Sequence, residues 1–315
     1  MLLLVCDAVF DVHNRVSLAH WGGALHGFVE GAVVNHASFL LPLWRPHGMD
    51  GFSCIALEAP PFESPPEQFF RFGIVLFRHA AQAWAPLLRA LMLQTQSGLH
   101  GRAWRLEHVA LIQPGATVLN VVTAGRLTDP LPEPEDTGSW LRRSPQPTID
   151  PDAFLHHMYL RSPLLLGGRG RIRREQAPVW PSLKSVLDSI ARRAWALEPE
   201  LATAIGTPEG WQAPPELAEV LPLTPAHEPS RAVQWLYDPR RHIVKPGLVG
   251  QLIYPARLDA ACQRLLYWGQ WLGVGQQTTM GCGRYVWRAQ SLDLQDKSPC
   301  SACPQSVDSY EFESN

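Results

Sequence analysis

The chain opens on an almost wholly apolar run, Met1 to Phe10, which Asp11-Val12-His13-Asn14 closes with turn chemistry. That pattern predicts a first β-strand over residues 1–10. Behind Ser17 as N-cap, Leu18, Trp21, Leu25, Phe28 and Ala32 recur at three- and four-residue spacing, which predicts a helix from Leu18 to about Val34. Residues 39–68 carry Pro42, Pro46, Pro60, Pro61, Pro65 and Pro66 and read as loop. Phe69 to Phe77 is a strong strand, and Ala80 to Thr95 has helical spacing, with Pro86 tolerable only in a first turn. A turn at Gly98-Leu99-His100-Gly101 leads to strands at 104–109 and near 117–124. These elements are assigned to a ferredoxin-like, RRM-type unit of order β-α-β-β-α-β over residues 1–125, an order that takes one more strand before the second helix than the pattern shows.

Residues 126–150 are rich in Pro, Asp, Glu and Ser and read as a linker. A second unit is expected at 151–289. It begins with a strand through Phe154, His156, Met158 and Leu160 and continues through a basic loop to a helix opened by Pro181-Ser182-Leu183. Residues 198–230 hold seven prolines among short helical pieces and read as a helical insertion. Val244 to Tyr254 reads as a strand pair, with Gly247 and Gly250 at turns or bulges. Leu258 to Trp271 is then the last helix, and Arg284 to Trp287 the last strand. The fold class is therefore α+β, two tandem ferredoxin-like domains with a helical insertion in the second. The polar, acidic tail 290–315 is expected to be disordered.

Composition changes this picture in one respect. The 27 Lys and Arg nearly balance the 29 Asp and Glu, so the net charge of -2 announces no nucleic-acid binder. The balance hides an asymmetry: residues 151–195 and 231–289 together carry sixteen Lys or Arg against five Asp or Glu, while 196–230 has acids and no Lys or Arg. Arginine dominates the basic set, which suits planar recognition of phosphate. Of six cysteines, Cys6, Cys54, Cys262 and Cys282 sit singly and read as reduced, as in a cytoplasmic protein. Cys300 and Cys303 lack the second pair a zinc site needs. No segment reads as a signal peptide or a membrane span, so no membrane partner is expected.

The densest chemistry is the run Gly273-Val274-Gly275-Gln276-Gln277-Thr278-Thr279-Met280-Gly281-Cys282-Gly283-Arg284-Tyr285. Its glycines allow positive φ and bring N–H groups close to a bulky anion, which predicts a phosphate-holding loop between a helix and a strand. This run resembles the C-terminal signature loop of the CRISPR precursor-RNA-processing endoribonucleases, a branch of the RAMP superfamily. The match lies at Gly273, Gly275, Thr278, Gly281, Gly283, Arg284 and Tyr285. Arg71 to Phe77 with Gly98 to Arg102, and the strand, basic loop and helix of 154–197, are also similar to the family's two domains. Gln276 and Gln277 stand where many members have lysines.

The resemblance implies cleavage of precursor crRNA within its repeats, leaving 2′,3′-cyclic phosphate and 5′-hydroxyl ends, and retention of the product within a CRISPR effector complex. Some relatives linked to type IV systems use arginines instead of histidine, and Arg15, Arg45 and Arg240 suit that role. From the residues themselves, no carboxylate cluster suits a two-metal nuclease, so a route with no metal and no cofactor is expected. Histidine fits proton transfer at neutral pH. In the family the base is usually a histidine in or just after the first helix, which makes His26, His36 and His20 the catalytic candidates. The RNA-binding candidates are Gly273, Gly275, Gln276, Gln277, Thr278, Thr279, Gly281, Gly283 and Arg284 of the loop, with Arg169, Arg171, Arg173, Arg174, Arg240, Arg241 and Lys245 for a repeat stem-loop. The rival reading is a noncatalytic crRNA-binding subunit of a CRISPR effector complex.

Overall fold

A computed structural model describes residues 1–10, 21–45, 52–58, 69–97, 104–113, 118–133, 147–166, 180–223, 233–238, 243–276 and 278–291. The chain divides into two compact units. One comprises Met1–Pro145 with Thr279–Gly281; the other comprises Gln146–Thr278 and the strand that follows Cys282.

In the first unit, β1 (Leu2–Phe10) lies at the centre of an antiparallel sheet, between β3 (Phe69–Leu76) and β4 (Trp104–Ile112). The sheet order is β2-β3-β1-β4-β5-β6, with β2 at Ile55–Glu58, β5 at Leu119–Thr123 and β6 at Arg126–Leu127. Strand β2 corrects the reading of 39–68 as loop. It is this four-residue edge strand that supplies the second β of the ferredoxin-like order. Residues 126–127, at the head of the segment expected to be linker, pair with β5 as a sixth strand.

Helix α1 (Trp21–His36) buries Leu25, Phe28, Val29, Ala32 and Val33, the face that the apolar spacing marks. They pack with Leu4, Cys6 and Phe10 of β1 into one core. Ser17, the expected N-cap, lies outside the described residues. After a 3-10 turn at Ser38–Leu40 comes a short helix, α2 (Leu41–Trp44). The helix expected over 80–95 is two pieces, α3 (His79–Gln82) and α4 (Trp84–Gln94). The break places Pro86 third in α4, where its missing N–H costs no helical bond.

In the second unit, β7 (Ala153–Leu164), α5 (Leu183–Leu197), β8 (Val233–Asp238), β9 (Ile243–Pro255), α7 (Ala260–Leu272) and β10 (Tyr285–Ser291) follow one another as β-α-β-β-α-β, with a short α6 (Pro199–Ala204) after α5. The sheet order is β10-β7-β9-β8, the ferredoxin-like arrangement. Residues 244–254 are not a strand pair. They are one continuous strand between β7 and β8, the second of which the sequence reading missed. Ser182 caps α5, accepting from the Ser185 amide, and Asp259 caps α7, accepting from the Cys262 amide at 2.7 Å. The tail 292–315 lies outside the described residues. No helix among the described residues is long and apolar enough to cross a membrane.

His156 and His157 point to opposite faces of β7. His156 is fully buried and donates from Nε2 to Ala256 O at 3.0 Å. Burial lowers its pKa from 6.5 to about 4, against the opposing pull of that carbonyl. The folded chain therefore holds this ring neutral where the unfolded chain protonates it. Stability is intact above pH 6.5 and is lost as pH falls from there toward 4. At about 1.4 kcal/mol per pH unit the loss approaches roughly 3 kcal/mol. Urea unfolding of wild type is expected to lose about 2 kcal/mol more than His156→Asn between pH 7 and pH 4.5. Equal losses would show that the ring protonates as readily folded as unfolded.

Candidate functional site

The last helix ends where the glycine-rich run begins, and four carbonyls at that end have no partner within the helix. Each is met by a group from the loop or from α5. Gly273 N donates to Gly269 O at 2.7 Å, Arg284 Nη1 to Gln270 O at 3.5 Å and also to Trp271 O, and Arg193 Nε to Leu272 O at 3.0 Å. Tyr285 adds a bond from its hydroxyl to Leu266 O at 2.8 Å. Arg284 and Arg193 are only 2% and 3% exposed, so these are interior contacts. Burial, and then the Arg284 charge beside it, brings the Arg193 pKa down to about 9, still charged at neutral pH. Two cations at a helix C-terminus complement its negative end.

The remaining loop amides are largely committed to the protein. Val274 N donates to Gly283 O, Gly275 N to Ser189 Oγ, Gln276 N to Leu165 O, Gly283 N to Pro163 O and Arg284 N to Ser162 Oγ, at 2.9 to 3.1 Å. The glycines permit this close packing. A Cβ on Gly275 would fall 2.4 Å from Leu165 O, and one on Gly283 would fall 1.8 Å from Val274 O. Both also have positive φ, +83° and +76°.

Burial divides the loop along its length. Gly273, Thr278, Gly281, Gly283 and Arg284 are buried, and the Arg284 guanidinium is turned inward to cap a helix instead of outward. Gln276 is exposed, and Gly275, Thr279 and Met280 are half-buried. None of the bonds above uses an amide of residues 278–281, where a 3-10 turn (Thr278–Met280) forms the tip.

Thr279–Gly281 fall in the same compact unit as α1. The His26 Nδ1 lies 3.1 Å from Thr279 O. A carbonyl can only accept, so Nδ1 carries the proton and the neutral ring keeps its lone pair on Nε2. His26 Nε2 lies 3.9 Å from Glu30 Oε2, one helical turn away, and Glu30 accepts from Arg45 Nη2. The Trp44 ring sits 4.8 Å from the imidazole, tilted by 32°. His26 and Glu30 side chains are 13% and 14% exposed, so the pair is mostly shielded from water.

The other candidates fare differently. His36 ends α1 and is exposed. Ten residues from His26, it lies roughly 15 Å farther along the helix axis, too far to act on the same atom. His20, Gln277, Arg169, Arg171, Arg173, Arg174, Arg240 and Arg241 lie outside the described residues, as does the side chain of Lys245. Glu30 escaped the sequence reading, although its i,i+4 spacing from His26 was a visible signal. No group of three metal-ligating side chains is gathered among the described residues.

Residues 158–285, from β7 through the glycine-rich loop to the first residue of β10, match the family profile described as CRISPR-associated endoribonuclease Cas6. That match covers less than half of the chain. A comparison with curated proteins finds no match. Among solved structures, the chain is similar to a product complex of a Thermus thermophilus Cas6, at TM-score 0.54 and 18% identity, covering 91% of this chain and 99% of that one. A second Cas6 product complex is similar at TM-score 0.50 and 19% identity, covering 92% and 100%. A Cas6-RT-Cas1–Cas2 complex is similar at TM-score 0.50 and 14% identity, covering 92% of this chain and 29% of that one. At these identities the likeness is one of fold. It extends over both units, beyond the Cas6 match in the second.

The packing of the glycine-rich loop yields a stability prediction. Gly283→Ala places a methyl against a backbone carbonyl at positive φ and is expected to lower unfolding free energy by about 2 kcal/mol or more. Gly27→Ala, on the open face of α1 with nothing within 4 Å of the new Cβ, is expected to raise it by roughly 0.5–1 kcal/mol. Urea unfolding of both variants checks the contrast, and equal shifts would contradict the packing assigned to Gly283.

Proposed function

We propose that this chain is an endoribonuclease that cleaves precursor crRNA within its repeats, with His26 as the general base and no metal ion in the reaction. The observation that carries the reading is the hydrogen bond from His26 Nδ1 to Thr279 O, which joins the one half-buried histidine of α1 to the tip of the Cas6 signature loop. It fixes the tautomer that a base needs, leaving Nε2 to accept a proton.

In the reaction, Nε2 takes the proton of a ribose 2′-hydroxyl as the 2′ oxygen attacks the adjacent phosphorus. The P–O2′ bond forms, the P–O5′ bond breaks, and the departing 5′ oxygen takes a proton from solvent. The products are a 2′,3′-cyclic phosphate and a 5′-hydroxyl. The extra charge on phosphorus needs donors nearby, and the amide of Thr279, the residue whose carbonyl holds His26, suits that task.

Affinity for the repeat stem-loop falls to Arg169, Arg171, Arg173, Arg174, Arg240, Arg241 and Lys245, through phosphate contacts on A-form RNA. Gln276, through its exposed side chain, and Thr279 keep a loop-side role. Cas6 product complexes among the similar structures support retention of the cleaved RNA, and the Cas6-RT-Cas1–Cas2 complex supports association with other CRISPR proteins.

The test is cleavage of a transcript carrying the host CRISPR repeat, with EDTA present. Wild type is expected to give a cyclic-phosphate end, and His26→Ala to slow cleavage by at least a hundredfold, about 2.7 kcal/mol of barrier, while His36→Ala stays within about threefold. Tight binding with no cut by wild type would sink the enzyme reading in favour of a noncatalytic subunit. A His26→Ala rate within about tenfold of wild type would sink the site assignment.

A further inference from the structure

His26 does not stand by itself, and the groups around it bear on its proton affinity. Among the described residues, charged groups face the imidazole from two elements: Glu30 on its own helix, 3.9 Å from Nε2, and Arg45 immediately after α2, which donates to Glu30. The loop tip adds the Thr279 carbonyl at Nδ1, and α2 adds the face of Trp44. Building on the proposed role of His26 as base, we infer that Glu30 and Arg45 are positioning residues for it. Glu30 stabilises the imidazolium that forms as His26 accepts the 2′-hydroxyl proton, and Arg45 restrains that pull so that the ring rests neutral.

The argument is electrostatic and turns on differential stabilisation. A carboxylate within 4 to 6 Å favours the charged form of a histidine. At Nε2 that carboxylate offers no hydrogen bond to the neutral ring, whose nitrogen carries a lone pair there. Once Nε2 is protonated, the same carboxylate becomes an attractive partner. Glu30 therefore contributes more after proton transfer than before it, as catalysis requires.

Left unopposed, the same charge would protonate the ring in the resting enzyme and remove the base. Arg45 opposes it by sharing the carboxylate. Its side chain is 51% exposed, so its influence is screened and weaker than that of the shielded Glu30. Trp44 covers one side of the imidazole and keeps water from averaging these charges away.

Two readouts test the pair. The first is the protonation midpoint of the His26 ring in RNA-free protein, followed by ring-proton and nitrogen NMR. Glu30→Gln is expected to lower it by about half a pH unit or more, and Arg45→Gln to raise it by about half a unit. The second is the acid limb of single-turnover cleavage of the repeat transcript. It is expected to move with the midpoint in each variant, with the plateau rate falling at least tenfold in Glu30→Gln and partly recovered in Glu30→Asp. Thermal melts confirm that each variant is folded. Midpoints that stay put or move in the same direction, with His26→Ala still inactive, overturn this inference and leave the base assignment standing. Cleavage by His26→Ala at the wild-type rate overturns the base assignment and this inference with it.

Discussion

The structure of the glycine-rich loop follows from the unsatisfied carbonyls at the end of α7. A helix cannot be buried at its C-terminus unless Gly269, Gln270, Trp271 and Leu272 find donors elsewhere. Here the donors are Gly273 N, the Arg284 guanidinium and Arg193 Nε, two of them side chains from outside the helix. Because Arg284 must reach back across the loop to the helix it has just left, the intervening chain is closed into a tight ring. The Val274–Gly283 bond marks the neck of that ring. Gly269 belongs to the same design: the Tyr285 hydroxyl stands 2.1 Å from where a Cβ would be, so only glycine lets the tyrosine reach Leu266 O.

This constraint redistributes the roles within the motif. Residues 273–276 and 283–285 hold the loop to its own unit, so their amides are not available to a phosphate. The tip at 278–281 lies outside those bonds and closes on itself through its 3-10 turn. A preorganised donor array is worth more than a mobile one at a developing charge. The glycine content thus serves backbone-to-backbone approach within the protein as much as approach by a ligand.

The sequence pattern made the central strands and long helices legible because each carries its own periodicity: β1, β3, β7, α1, α5 and α7 all lie where apolar spacing puts them. The three strands it missed, β2, β6 and β8, are all at sheet edges, where one neighbour suffices and a short stretch shows little alternation. Ile55–Glu58 was hidden among prolines, and Val233–Asp238 beside a basic stretch. At the site, the run of glycines and the His26 position were visible in the sequence. The direction of Arg284 was not, since a motif records which residue is present and not whether it points inward. Glu30 was legible only as an i,i+4 pair, a spacing that far more often marks an ordinary helix surface.

The position of His26 on α1 bears on the proposed chemistry, in which one histidine of this helix, and not a set, would act. Residues 26 and 30 share a face because four residues make nearly one turn. Residue 36 is displaced along the axis by roughly 15 Å and also rotated away. A second histidine on the same helix therefore cannot supply the acid that complements the base. Any further charge control must come from i±4 on α1 or from a different element. Glu30 is the first case and Arg45 the second, so the surroundings of one imidazole bring together a local helical pairing and a tertiary one. Holding the ring neutral at rest and cationic in the transition state requires both signs of charge nearby. A carboxylate with no counter-cation would favour the imidazolium too early, and a cation with no carboxylate would oppose its formation throughout.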